Sequence, residues 1–97
     1  MHRSAVERRL SDVHARLVRA RDELGVLDEQ LAVVNEMADD TRIKSLVSET
    51  PLSARDHDEV TRHVRAMQRS RDELVASISE LERRQDELLA ELVAEPR

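Results

Sequence analysis

The chain has no cysteine and no aromatic residue, one glycine and two prolines in 97 residues. Each shortage excludes something. Without Cys there are no disulfides, no thiolate metal sites and no thiol nucleophile. Without Phe, Tyr or Trp a wide globular core loses its bulkiest fillers. One Gly cannot make a phosphate-cradling loop, and so few Gly and Pro leave long stretches with nothing to break a helix. No apolar run reaches the length of a membrane span, and the opening MHRSAVERRL has no apolar signal core, so a soluble cytoplasmic protein is expected.

What is present is charge and aliphatic side chains. Charged residues make up 38% of the chain and hydrophobic ones 39%, enough for a narrow apolar seam but not for a broad core. That balance describes one domain built of long helices. The net charge of −5 is unevenly spread. Residues 1–21 carry +4, residues 22–40 carry −7, residues 41–71 carry +3 and residues 72–97 carry −5. A nucleic-acid binder collects its bases on one face; alternating blocks point instead to a chain that neutralises itself.

The apolar pattern fixes the fold class. Val6, Leu10, Val13, Leu17, Ala20, Leu24, Leu27, Leu31, Val34 and Ala38 follow alternating steps of four and three. A stripe sustained for more than four heptads is a coiled-coil seam. Ser4 and Glu7 have the spacing of a capping box ahead of it. A second stripe runs Val60, Val64, Met67, Arg71, Leu74, Ile78, Leu81, Gln85, Leu88 and Leu92. Thr50 and Pro51 suit the N-cap and first turn of that helix, and Pro96 marks its end. The expected organisation is a single domain over 1–97, with helix 1 at about 4–38, a connector at 39–50 and helix 2 at about 51–94.

Folding the helices antiparallel superposes the stripes wherever paired residue numbers add to 98, as in Val34 with Val64 and Ala20 with Ile78. The same register lays the basic start along the acidic end and the acidic 22–40 along the basic 58–76. Two independent features therefore agree on an all-α antiparallel coiled-coil hairpin, a narrow rod without a cleft. Arg71, opposite Leu27 and within reach of Glu23 or Asp28, and Gln85, opposite Val13, intrude on the seam as register-setting residues. A ligand contact is the other reading of both.

The chain has more apolar residues than one seam can use. Val75, Leu89 and Val93 on helix 2, and Val18, Val26, Val33 and Met37 on helix 1, lie off the stripe. Two hairpins packed into a four-helix bundle would cover such an edge, so a homodimer is expected, with Val75, Leu89 and Val93 as self-association residues. A monomer docked on a partner helix, or a lone hairpin, are the alternatives.

The middle segment leaves the heptad. Continuing the helix 1 frame puts Thr41, Ser45 and Ser48 on the seam, while Ile43, Leu46 and Val47 define a new short stripe behind Asp39, Asp40 and Thr41. A short third helix at roughly 40–49 is expected. Either its apolar residues fold back to plug the bundle end, or Ile43, Leu46 and Val47, flanked by Arg42, Lys44, Asp39 and Asp40, are offered to a protein partner. A rod with acidic residues at its tip also looks like the factors that enter the RNA polymerase secondary channel.

Reactive chemistry is not apparent. His2, His14, His57 and His63 form no i, i+4 pair, and Asp56–His57–Asp58 reads as solvated charge rather than a metal site. Carboxylates abound but have nowhere to be buried and perturbed. No catalytic residue, cofactor or metal is expected, and binding of nucleic acid or membrane is not expected either. The sequence, above all DDTRIKSLVSETPL, resembles a group of small uncharacterised actinobacterial coiled-coil proteins. It is also similar in part to actinobacterial anti-sigma factors that respond to cyclic di-GMP, themselves helical hairpins. Glu7, Ser11 and Asp22 fit three places of their ligand motif, while His14 and Val18 replace its Arg and Gln. Helix 2 offers Thr61, Gln68 and Asp72 in a comparable frame, with His57 and Val64 at the remaining places. That resemblance implies a nucleotide second-messenger sensor on the face from Glu7 to Asp22, or a role in transcription regulation. A purely architectural spacer is the remaining reading.

Overall fold

The computed structural model describes residues 2–94. Two helices account for all of them except Glu49 and Thr50: α1, His2–Ser48, and α2, Pro51–Ala94. The fold class is all-α, a helical hairpin. Pro96, expected to stop the second helix, lies outside the described residues. None of the described helices is long and apolar enough to cross a membrane.

The turn is compact and its chemistry is local. The Glu49 N–H donates to the Ser45 carbonyl at 3.0 Å, and Glu49 then takes a left-handed backbone, φ 50°. That conformation ends α1 as a left-handed cap does, at a cost that glycine would escape. Thr50 caps α2. The Ser53 N–H donates to Thr50 Oγ1 at 3.2 Å while the Thr50 N–H donates to Ser53 Oγ at 3.3 Å, a reciprocal capping box with Pro51 as the first helical residue.

Both ends of α1 differ from the sequence expectation. Ser4 is inside the helix rather than its cap, because α1 already begins at His2, and Glu7 pairs with Arg3 at 3.2 Å. The separate third helix is absent: α1 runs through 39–48 without a break. No Gly or Pro stands there to stop it. Thr41, a possible cap, instead directs Oγ1 back to the Ala38 carbonyl at 3.0 Å, a bond that a helix interior accommodates.

The chain packs as two compact units. One joins the residues up to Leu24 with those from Leu74 onward. Its core buries Val6, Val13, Leu17 and Ala20 of α1 with Ile78 and Leu88 of α2, flanked by Leu10, Leu24, Leu74, Leu81 and Leu92. Val6, Leu17 and Leu88 are fully enclosed. Arg21 reaches across to Glu82 at 3.3 Å. Arg83 bridges Glu80 and Glu87 along α2, which holds the Glu80 carboxyl below the usual carboxylate range through a hydrogen bond and charge attraction.

The other unit is Gly25–Glu73, a helical hairpin with its own turn. Its seam buries Val34 and Val64 and half-buries Leu27, Leu31, Ala38, Val60 and Met67. Arg71 occupies its seam position half-buried, with Nε donating to Asp28 Oδ1 at 2.6 Å. Asp28, rather than Glu23, is the partner of this intruding arginine.

Candidate interaction surface

The seam does not stop where its apolar residues stop. Thr41 and Ser45 on α1 and Ser53 and His57 on α2 are half-buried in the same frame, so the polar residues occupy the inside of the Gly25–Glu73 unit next to its turn. Thr41 Oγ1 lies 3.2 Å from His57 Nδ1. These two numbers add to 98, as do those of the buried Val34 and Val64. One hydroxyl proton cannot serve two partners. Both bonds are made when Thr41 donates to the Ala38 carbonyl and His57 donates from a protonated Nδ1.

The outside of the same turns is apolar. Ile43 is 54% exposed, Leu46 67%, Val47 80% and Leu52 66%. The plug expected as one alternative is therefore not formed: Ile43, Leu46 and Val47 do form a stripe, but on the face of α1 that points away from the seam. The reason is the unbroken helix. With no break at 39, the frame of Leu31, Val34 and Ala38 continues inward to Thr41 and Ser45, and the side chains between them have only solvent to face. Arg42 and Lys44 flank the patch and are exposed. Lys44, Leu52 and Asp56 line a hollow beside the turn together with Thr41 and Ser53.

A second apolar surface lies further along the same unit. Leu27, Val33 and Val34 of α1 and Ala66 and Met67 of α2 line an open groove of about 600 Å³, with Gln30, His63 and Ser70 as its polar members. Val26 and Met37, also on α1, are exposed.

Val75, Leu89 and Val93 belong to the other unit, where Val75 is 39% exposed, Leu89 is half-exposed and Val93 is open. Val18 is also exposed there. Gln85 is half-buried at its seam position. Ser4, Glu7, Arg8 and Ser11 line a shallow polar depression on α1. Ser11 thus lies beside Glu7, as the ligand-motif spacing requires, but Asp22 is not among the lining residues. Among the described residues no group of three or more His, Asp or Glu is placed to hold a metal ion.

Sequence reasoning found Ile43, Leu46 and Val47 by their spacing, and missed Leu52 and the Thr41–His57 layer. The missed signal was available: His57 stands three residues before Val60 and Ser53 four before His57, so both fall in the heptad frame of α2. Comparison with family models, with curated proteins and with solved structures finds no match for this chain.

Proposed function

We propose that this chain is a non-enzymatic, cytoplasmic coiled-coil module that self-associates and docks a protein partner on the exposed stripe Ile43, Leu46 and Val47, in the manner of a regulatory adaptor. One observation carries the reading: beside the turn the usual pattern is inverted, with polar residues inside and large aliphatic ones outside. A helix that keeps Thr41 and Ser45 in its seam while exposing Ile43, Leu46 and Val47 gains nothing from the arrangement as a free chain. Covering those side chains with an apolar partner surface would contribute roughly 1.5–3 kcal/mol for each one fully buried. Arg42 and Lys44 at the edge of the patch would orient a partner with acidic groups there. The surplus apolar residues Val75, Leu89 and Val93 favour self-association, with a four-helix bundle as the assembly.

The test is affinity capture with the native chain and with the double variant Ile43→Asp/Leu46→Asp, followed by titration of the purified captured protein against both. Circular dichroism must first show equal helicity. Loss of one captured protein, with at least a tenfold weaker affinity of the variant for it, supports the reading. Equal affinity for every captured protein refutes it.

A further inference from the structure

Charged residues of opposite sign lie beyond the two sides of the groove of the Gly25–Glu73 unit, outside its lining. On α1, the groove-lining Val33 is bracketed by Glu29 and Glu36, four residues before it and three after. On α2, the groove-lining Ala66 is bracketed by Arg62 and Arg69 at the same spacings. All four charged residues are exposed. Among the described residues none of the four has an ion-pair partner; the arginines that do are Arg3, Arg21, Arg71, Arg83 and Arg84. Arg62 makes only a long 3.4 Å bond from Nε to the Asp58 carbonyl.

We infer that a second copy of this chain docks in this groove, face to face, about a two-fold axis parallel to the helices. The inference rests on the self-association reading above and assigns it a surface. Its geometry follows from charge. A two-fold axis perpendicular to the helices in the plane of the interface would stack α1 on α1 and set acids against acids. An axis parallel to the helices places α1 of one copy over α2 of the other at the same height. The register set by Thr41 and His57 makes Glu29 level with Arg69 and Glu36 level with Arg62. Glu29 and Glu36 therefore each stand level with a base of the other copy, and the two-fold repeats both pairs. Between the charged rims, Val26, Val33 and Met37, which are half-exposed or more, close on Ala66 and Met67 of the second copy. The face is large enough. Twenty-four residues of helix are about 36 Å long and two helices side by side about 20 Å wide, roughly 700 Å² per copy, close to the ~800 Å² that a stable interface uses.

Sedimentation equilibrium and light scattering across a micromolar range test this, with circular dichroism to show that each variant keeps its helicity. The native chain is expected to have twice the monomer mass. Glu29→Arg/Glu36→Arg alone and Arg62→Glu/Arg69→Glu alone should each raise the dimer dissociation constant at least tenfold. Combining all four substitutions should restore it, since the two sides merely exchange sign. A native chain that stays monomeric at every concentration refutes self-association itself. A dimer that survives both single-side reversals and is lost in Val75→Asp/Leu89→Asp leaves self-association standing and overturns the groove as its surface.

Discussion

Replacing the polar layer beside the turn by an apolar one, with Thr41→Val and His57→Leu together, should stabilise the Gly25–Glu73 unit by about 1–2 kcal/mol. The layer is half-buried and joined by one hydrogen bond of 3.2 Å. Losing that bond costs about 0.5–1.5 kcal/mol net. Fully buried, Val and Leu would contribute roughly 1.5–3 kcal/mol each; at half-open positions about half of that survives, roughly 1.5–3 kcal/mol for the pair. The gain outweighs the loss. His57→Leu alone should gain less without orphaning its partner, because the Thr41 hydroxyl keeps the Ala38 carbonyl at 3.0 Å. Native-state hydrogen exchange reads the effect. Amides of residues 42–48 and 54–60 should exchange roughly 5–30-fold more slowly in the double variant, the factor that 1–2 kcal/mol corresponds to. Amides around Leu17 should not change. Unaltered or faster exchange beside the turn, with native circular dichroism, would refute the claim that the seam extends into these turns.

Other substitutions probe the same physics elsewhere. Leu17→Ala empties a fully enclosed site between the helices and should cost about 2–5 kcal/mol in guanidinium unfolding; a cost under 1 kcal/mol would show that the pair packs loosely there. Gly25 sits mid-helix with nothing within 4 Å of an added Cβ, so Gly25→Ala should raise stability by about 1 kcal/mol; a destabilised variant would mean that the position is in contact. The Glu80 carboxyl is lowered by Arg83, so its contribution is present above the usual carboxylate range and lost as pH falls through the lowered value. Carbon-13 titration of Glu80 should move upward in Arg83→Gln, and an unmoved midpoint would show that Arg83 does not hold it.

Most of the fold is legible in the sequence because a heptad is a long-range statement made with local residues. Val6 to Ala38 and Val60 to Leu92 each repeat one period often enough to fix a face, and the opposed charge blocks agree with an antiparallel pairing. The connector was not legible for an equally physical reason. Its seam positions are Thr41, Ser45, Ser53 and His57, and a frame carried by polar residues leaves no hydrophobic period. Ile43, Leu46 and Val47 then imitate the start of a new helix, while the backbone, meeting no Gly or Pro before Glu49 and Pro51, continues the old one. The groove was illegible in another way. Val26, Val33 and Met37 are visibly off the stripe, but which residues of α2 converge on them depends on the packing that places Ala66, Met67 and His63 alongside.

The most direct test of the central claim places a photo-crosslinking amino acid at residue 43, 46 or 47 in cells, with residue 79 on α2 as an exposed control. The account predicts one shared protein cross-linked from all three tip positions, absent from the control and lost when Ile43→Asp is added to the chain probed at 46. Cross-links that are the same from residue 79, or that recover only second copies of this chain, would contradict it.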